Sequence, residues 1–502
     1  MTKRFYLFVV AAMLAYVSFA QPSMPGVRFG DVGKKYDYLM AHSSRIVSEQ
    51  GGELIIATWD TWGFLGALAQ KGLQVVAVDT NMEVLRQVSL PDTRMDELVF
   101  ANYVDGRVYL LYRKVLSGQY HRAVVEPQSM TIESCEEVFS GAQGKNVSVY
   151  YWSAQSDNRL FYALADVVVN RMSREAAHRQ LLLDEKMEVL WEKRFGTSEL
   201  SNIRVSDEGE VYLFGSRYES GRQETSVVVH VLDVDDERSV VGQMSVGQVH
   251  HLSLLNIVNN GKTAYAVAAG YIRTPDSPKK KDCFDKMVGL SLNLNTSEMR
   301  VQTAPFSSDE LNVFGNKSTK KENKVGMVDE LIEGGSIGTP YGGVMLLQRC
   351  WKVTTHSTKT PDVHDYYTMG SLALAVDTTG SILWRKPFRT VNDERTGSAC
   401  DLPCYRDAPL FAEGDNVYVM LPEQPKTPET YDIAASATRI MLGVRTHSNV
   451  IYGIDRQGRV EKRVPLPKEK ASFMNNFVRM APGRYIGILS SNKKSALVYV
   501  DF

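Results

Sequence analysis

The chain has 502 residues, of which 44% are hydrophobic and 10% aromatic, and this composition excludes a disordered chain. Lysine and arginine number 57 against 58 aspartates and glutamates, so the charge balance gives no support to a nucleic-acid or membrane-surface partner. We therefore expect a folded protein with a substantial core and no nucleic-acid partner.

The N-terminus predicts a secretory signal peptide. Lys3 and Arg4 are followed by an apolar stretch at residues 5–19, and Ala20 places a small residue before a cut at Gln21. A membrane anchor is the alternative, but the stretch is shorter than the ~20 residues that span a bilayer. We expect a secreted or periplasmic protein of the cell envelope, with no transmembrane span after cleavage.

Alternating apolar runs on either side of tight turns recur along the chain. The clearest copy, Gly370–Phe388, reads GSLALAVDTTGSILWRKPF, and period-2 alternation across a Gly-containing turn predicts a β-hairpin. A second type of hairpin, such as NIRVSDEGEVYLFGS at Asn202–Ser216, alternates with the first. Pairs of the two types form modules that begin near residues 45, 98, 148, 202, 253, 331, 409 and 476.

These modules predict the fold class and the domain organisation. A spacing of about fifty residues between four-stranded modules is typical of β-propeller blades. We predict an all-β chain with a single β-propeller of eight four-stranded blades, or seven if one weak copy is misread. The predicted parts are a signal peptide at 1–20, an N-terminal segment at 21–44 and the β-propeller at 45–502.

The last module is short, because only SALVYVDF follows its first hairpin. A ring of blades must protect the edge strands where it closes. We expect the N- and C-terminal segments to meet in one blade, with residues 21–44 supplying either the missing outer strand or a short helix at Tyr36–Ser43.

Recurrent residues inside the hairpins have structural explanations. An aspartate that opens a tight turn accepts backbone N–H groups, which predicts turn roles rather than a carboxylate ring. Trp191 and Trp384 occupy equivalent positions and are expected to pack between blades. The aspartates concerned are Asp79, Asp184, Asp233, Asp377 and Asp455.

Five cysteines are few for a chain of this length. We therefore expect disulfides that link nearby segments and no disulfide framework that determines the fold. Cys400 and Cys404 lie in one loop and are candidates for a disulfide that closes a small ring. Cys283 and Cys350 are candidates for a second disulfide if their loops meet. Cys135 is expected to be a buried free thiol. Neither a CxxC pair nor a third ligand near a histidine pair is present, so we expect no metal site.

The long connections between strands are predicted to lie on one face of the propeller disc. The turns inside each hairpin are short, and the extra length falls in the other connections, which project from the opposite face. Loops on a rigid scaffold commonly carry binding residues. The basic stretches within these loops are also typical of solvated loops without a binding role. The long connections are Tyr271–Asp285, Ala304–Glu330, Trp351–Met369, Arg389–Ala408 and Pro422–Ser448. The candidate binding residues on this face are His250, His251, Lys280, Lys320, Trp351, His356, His364, Tyr366 and Tyr367.

The segment Gly334–Gly338 matches G-x-S-x-G, the nucleophile elbow of serine hydrolases. That motif requires a helix after the serine, whereas Thr339 and Pro340 lead into a strand. We interpret the segment as a Gly-rich turn and predict no catalytic residue from it.

The pattern V-D-x-x-G-x-I-x-W, formed by Val376, Asp377, Gly380, Ile382 and Trp384, resembles the repeats of the PQQ-like and WD-type propellers. The quinone-dependent enzymes of that superfamily carry adjacent cysteines and a calcium site. This chain has no Cys-Cys pair, so we expect no cofactor. The chain is more similar to non-catalytic propellers of the bacterial envelope.

Two functional hypotheses follow. The first is a monomeric, non-catalytic binding or scaffold module that takes a protein or glycan partner of the cell envelope on the long-loop face. The alternative is a propeller enzyme, a hydrolase or lyase acting on glycans, whose site lies in the central funnel and needs clustered acidic, basic or histidine side chains.

Overall fold

The computed structural model describes most of the chain. The described residues are 26–29, 33–34, 43–59, 72–93, 96–114, 117–140, 147–170, 176–196, 200–219, 224–261, 263–273, 283–314, 328–329, 331–355, 363–398, 410–423, 448–463, 473–490 and 494–502.

The strands form eight four-stranded antiparallel sheets in a ring, which confirms the predicted eight-bladed β-propeller. Blade 1 consists of Ser43–Gln50, Glu53–Trp59, Gln74–Val78 and Val84–Ser89. Blade 2 consists of Glu97–Val104, Arg107–Arg113, Gln119–Glu126 and Thr131–Ser140. Blade 3 consists of Val147–Gln155, Tyr162–Asn170, Ala176–Leu183 and Val189–Gly196. Blade 4 consists of Leu200–Val205, Val211–Glu219, Glu224–Leu232 and Glu237–Met244.

The second half of the ring follows the same plan. Blade 5 consists of Gln248–Asn260, Thr263–Arg273, Lys286–Asn293 and Met299–Pro305. Blade 6 consists of Leu331–Thr339, Gly342–Thr355, Val363–Asp377 and Ile382–Ser398. Blade 7 consists of Leu410–Glu413, Asn416–Glu423, Ser448–Ile454 and Val460–Arg463. Blade 8 consists of Phe473–Ala481, Arg484–Ser490, Lys494–Asp501 and Gly26–Phe29.

Blade 8 closes the ring with strands from both ends of the described chain. Gly26 pairs with Asp501 and Phe29 pairs with Val498, so the N-terminal strand covers the outer edge of the last C-terminal strand. Gly33–Lys34 adds a short pair to the same strand. The predicted meeting of the two segments is confirmed, and the missing outer strand comes from the N-terminal segment. The helix expected near Tyr36–Ser43 overlaps residues 35–42, which lie outside the described residues.

At six of the eight junctions the first strand of a blade lies against the first strand of the next, so the first strands form the inner wall around a central channel. Each blade is a meander, so the turns between its first and second and between its third and fourth strands lie on one face, here called the turn face. The second-to-third connections and the blade-to-blade connections lie on the opposite face, called the loop face.

Apolar side chains fill the spaces between neighbouring blades. Trp191 of blade 3 packs with Leu200 of blade 4, and Trp384 of blade 6 packs with Val417 and Tyr452 of blade 7. Both tryptophans are buried, as their positions in the repeat predict. Gly458 lies close to Trp384, since a Cβ atom there would come within 2.7 Å of the indole. The blades are therefore held by side-chain layers rather than by backbone bonds between sheets.

Four of the five turn aspartates have the predicted role. In each case Oδ1 accepts the backbone N–H groups of residues two and four positions later. Asp233 differs, because its Oδ1 accepts from the N–H of Val234 instead. The four that follow the pattern are Asp79, Asp184, Asp377 and Asp455.

The structure corrects two local predictions. Gly334–Gly338 lies inside the first strand of blade 6 rather than in a turn, and the turn comes after Thr339. The glycines are explained by close packing, since a Cβ at Gly338 would lie 2.6 Å from the Asn256 side chain. Cys135 is a free cysteine, but it is exposed on the outer strand of blade 2, with Sγ 2.9 Å from the Tyr112 hydroxyl.

Two small elements lie in the long connections of blade 5. Cys283–Phe284 pairs with Val328–Asp329, and a short helix spans Ser308–Phe314. No helix in the described part of the chain is both long and apolar enough to cross a bilayer.

Candidate functional site

The loop face carries a strand extension on blade 6. The second, third and fourth strands of this blade have 14, 15 and 17 residues, whereas the second and third strands of blade 1 have 7 and 5. Their pairing continues to Thr355 with Val363 and to His364 with Ser398. Most of the connection predicted as the loop Trp351–Met369 is therefore β-strand.

The inner edge of this extension is open within the described structure. The first strand of blade 6 reaches only as far as Leu331, which pairs with Arg349. The following segment, Cys350–Thr355, pairs with the third strand on one side, and no described strand pairs with its other side. We call Cys350–Thr355, the part of the third strand that pairs with it (residues 363–368) and the part of the fourth strand that pairs with the third (residues 392–398) the blade-6 extension.

The predicted loop-face residues lie in the blade-6 extension, at the start of blade 5 and outside the described ranges. Trp351, His364, Tyr366 and Tyr367 are strand residues of the blade-6 extension, as is Cys350. Cys283 lies in the short strand Cys283–Phe284, in the connection between the second and third strands of blade 5. The residues outside the described ranges are Lys280, Lys320, His356, Cys400 and Cys404.

His250 and His251 are described with their side chains. His250 is exposed, and its ring meets the edge of Phe284 at a centroid distance of 4.9 Å. His251 is half-buried near the start of the innermost strand of blade 5, at the loop-face end of the channel. Its ring stacks on Tyr271 at 5.4 Å, and its Nε2 lies 2.9 Å from Oε2 of Glu333.

Glu333 is the acceptor at the centre of this cluster. Its Oε1 accepts a hydrogen bond from the Ser253 hydroxyl at 3.3 Å. Burial alone would raise the pKa of Glu333, but the hydrogen bonds from His251, Ser336 and Ser253 together hold it below its usual value. Glu333 is therefore a stable carboxylate that fixes one nitrogen of the histidine and leaves Nδ1 for other contacts.

Arg204 reaches the same cluster from blade 4. Its Nη2 donates to the carbonyl of Leu254 at 3.2 Å and to the Ser336 hydroxyl at 3.4 Å. Burial lowers the pKa of Arg204, while the charges of Glu333 and Asp157 raise it. Its Nε has no hydrogen-bond acceptor among the described residues. The inner strands of blades 4, 5 and 6 thus bring a guanidinium, an imidazole and a carboxylate together.

The cluster can position a polar group or exchange a proton at His251. The sequence indicated only His251, because the partners come from other blades and no local spacing joins them. His251 and Glu333 are 82 residues apart, and Arg204 and Ser336 are 132 apart. No group of three histidine, cysteine, aspartate or glutamate side chains in the described ranges has metal-binding geometry.

The ring of eight four-stranded sheets around a channel defines the chain as a β-propeller. No family model matches the chain, and no curated protein matches it.

Three solved structures illustrate what the chain is similar to. The oligogalacturonate lyase from Vibrio parahaemolyticus is 8% identical, with 96% of this chain and 98% of that chain covered and a TM-score of 0.37. The Dos1 propeller is 9% identical, with 96% and 95% covered and a TM-score of 0.37. The β-propeller domain of the Trilobed protease from Pyrococcus furiosus is 8% identical, with 81% and 93% covered and a TM-score of 0.33.

Proposed function

We propose that the chain is a secreted or periplasmic β-propeller of the cell envelope that binds a protein partner through its loop face without turning over a substrate. The blade-6 extension is the observation that carries this proposal. The signal-like N-terminus and the PQQ-like and WD-type repeat pattern support the location and the scaffold role.

Among the described residues, no strand pairs with the inner edge of Cys350–Thr355, and this favours a partner that binds as an added strand. An unpaired strand edge presents backbone N–H and C=O groups in a row, and extended peptides bind such edges by main-chain hydrogen bonds. At ~3.3 Å per residue, Cys350–Thr355 offers an edge about 20 Å long. A protein segment matches this edge better than a glycan, which lacks the regular backbone spacing.

The test is a capture experiment with a shortened extension. Residues 21–502 are immobilised and exposed to cell-envelope extract, and bound proteins are identified by mass spectrometry. In the shortened variant, residues 351–367 are replaced by Asn-Gly, which closes Cys350 and Thr368 as a two-residue hairpin in their existing register. We expect the wild-type chain to retain a protein that the shortened chain loses, while both unfold at similar temperatures.

A control variant changes the opposite face. Glu208 is exposed in a turn of blade 4, and Glu208→Lys reverses a charge there without touching the extension. This variant should retain the partner. Equal retention by the wild-type and shortened chains, or retention of a soluble glycan in place of a protein, contradicts the proposal.

An enzyme with its site in the channel is the second candidate, and the contact between His251 and Glu333 favours it. A histidine held by a carboxylate beside a half-buried arginine can serve as an acid–base arrangement. Turnover of an oligosaccharide by the wild-type chain, lost in both His251→Gln and Glu333→Gln, would support this candidate over the binding module.

A further inference from the structure

The blade-6 extension leaves the disc at a β-bulge. In the third strand, Met369 pairs with Arg349 of the second strand. Ser371 pairs with Gln348, which directly precedes Arg349. Gly370 is therefore an extra residue in the register, and its φ of 66° is a left-handed conformation that favours glycine. Bulges of this kind bend a strand and increase its twist, so the direction of the extension depends on the geometry at Gly370.

Buried side chains join the three long strands of blade 6 on the disc side of this bulge. The Gln348 amide donates to the Ser371 hydroxyl oxygen at 3.1 Å, and the hydroxyls of Ser371 and Thr390 lie 2.7 Å apart. These three residues belong to the second, third and fourth strands, and all are buried. Separating buried polar groups leaves them without partners, which is costly. The strands on the disc side of the bulge are therefore held in one arrangement.

A short helix from the connection between blades 5 and 6 lies against the bulge. Its seven residues, Ser308–Phe314, are too few for a stable helix on their own. A capping box starts the helix. The N–H of Ser307 donates to Oε2 of Glu310 at 2.6 Å, and the N–H of Glu310 donates to the Ser307 hydroxyl oxygen at 3.4 Å. Leu311 is buried in the same apolar cluster as Leu372 of the third strand, so blade 6 holds the helix in place.

The C-terminal end of the helix contacts the second and third strands where the extension begins. Arg349 is buried and donates from Nη1 to the carbonyl of Phe314 at 2.7 Å, which satisfies one of the carbonyl groups that a helix end leaves unpaired. A Cβ atom at Gly370 would lie 2.5 Å from the carbonyl oxygen of Val313, so the helix backbone touches the backbone of the bulge. Neither the bulge nor the helix end can therefore shift without moving the other.

The N-terminal end of the helix is tied to the fourth strand. Oε1 of Glu310 lies 3.2 Å from Nε of Arg385, and the Glu310 side chain is 3% exposed. Nη1 of Arg385 also donates to the carbonyl of Pro305, just before the helix, at 2.7 Å. A buried carboxylate depends on its charged partner, because an unpaired buried charge is costly. The helix therefore contacts all three strands that continue into the extension.

The extension continues past the point where the first strand of blade 6 starts. Leu331, the first residue of that strand, pairs with Arg349. The preceding residues, Val328–Asp329, pair with Cys283–Phe284 instead of with the extension. A strand added to Cys350–Thr355 would therefore continue the line of the first strand, beside a helix that already fixes the other three strands.

We propose that the helix Ser308–Phe314 positions the blade-6 extension for its partner, with Arg349 and Gly370 as the residues that couple the helix to the edge Cys350–Thr355. The partner segment then binds a strand edge whose direction is already set, so less conformational entropy is lost on binding. This inference rests on the proposed function, because the partner is the protein that the extension captures. It assigns a positioning role to residues that lie outside the extension itself.

The test compares Arg349→Met with the wild-type chain, both as residues 21–502, in hydrogen exchange without a partner and in the dissociation constant of the captured protein. Methionine keeps an apolar side chain and removes the hydrogen bond to Phe314. We expect the amides of residues 350–355 and 363–368 to exchange about tenfold faster and the dissociation constant to rise about tenfold, because one charged hydrogen bond is lost. The amides of blade 2 should exchange at the wild-type rate, which separates lost positioning from general unfolding.

Arg385→Met is the second variant, since it releases the other end of the helix and should change both measurements in the same direction. Arg238→Met is the control, because Arg238 also donates to a backbone carbonyl, that of Leu294 at 2.9 Å, but lies on the outer strand of blade 4. The control should match the wild-type chain in both measurements.

The inference is overturned if the extension exchanges at the wild-type rate in both Arg349→Met and Arg385→Met, or if exchange rises equally in every blade. It is also overturned if the extension exchanges faster while the dissociation constant stays unchanged. The exchange measurement needs no partner, so its failure is distinct from that of the proposed function, which fails if the wild-type chain captures no protein.

Discussion

At the scale of single residues, the contact between His251 and Glu333 links two blades through a hydrogen bond that no local motif encodes. Arg204 and two serines complete the cluster from neighbouring inner strands. A propeller places every first strand at the channel, so the residues that meet there are set by the ring and not by sequence distance.

Glu333→Gln should destabilise the fold by about 1–3 kcal/mol at pH 7, because the charged acceptor of several hydrogen bonds is lost. The folded-state pKa of Glu333 lies below its usual value, so its stabilisation is present above about pH 4.5 and is lost as the pH falls through the lowered pKa. Urea unfolding of both chains from pH 7 to pH 3.5 measures this. Glu298→Gln, at an exposed ion pair with Arg300, should change stability by less than ~0.5 kcal/mol. A pH-independent difference for Glu333→Gln would contradict the predicted role of its charge.

Asp96 should have the opposite pH dependence. Burial raises its pKa to about 6, an effect that Lys114 partly offsets, and its Oδ2 has no described hydrogen-bond partner. The charged form is therefore costly above pH 6 and the cost vanishes below about pH 4. Asp96→Asn should stabilise the fold by about 1–3 kcal/mol at pH 7 and have no effect at pH 4. Urea unfolding at both values tests this, with the exposed Asp92→Asn as the control.

At the scale of strands and turns, the repeat was readable because the same tight turns recur between apolar runs. Burial alternates along outer strands such as Val84–Ser89, whereas middle strands such as Gln74–Val78 are buried along their whole length. The four aspartate turns and the two inter-blade tryptophans were predictable because they recur with these turns and runs. The blade-6 extension was not, because its polar sequence is typical of a loop, although the backbone there continues as paired strands. Gly334–Gly338 was misjudged as a turn because glycine marks both turns and close strand packing.

Gly270→Ala should disturb the strand that carries His251. A Cβ at Gly270, in the second strand of blade 5, would lie 2.0 Å from the carbonyl oxygen of His251. The backbone must shift to make room, so we expect a loss of about 1–3 kcal/mol in urea unfolding. Gly26→Ala is the control, because its Cβ would meet only the carbonyl oxygen of Asp501 at 3.6 Å. Equal stability of the two variants would contradict this close packing between the first two strands of blade 5.

At the scale of the whole molecule, the eight blades and the closing blade were predictable from the sequence. Tandem repeats with an incomplete last module leave few ways to arrange the strands in a closed ring. The residues that meet at the channel wall were not, since Arg204, His251 and Glu333 belong to different blades and none lies in a motif.

Removal of residues 21–34 should weaken ring closure. The strand Gly26–Phe29 covers the edge Val498–Asp501, and without it an unpaired strand edge is exposed. We expect an unfolding temperature lower by several degrees and increased self-association, measured by calorimetry and light scattering. An unchanged unfolding temperature and a monomeric chain would show that the closure contributes little.

Binding of the partner by the blade-6 extension is the central claim. The most direct measurement is the dissociation constant of the captured protein for three purified chains: wild type, the shortened variant and Glu208→Lys. We predict that shortening raises the dissociation constant at least about 100-fold, because the whole added-strand interface is lost, while Glu208→Lys leaves it unchanged. A shortened chain that binds as tightly as the wild type contradicts the claim.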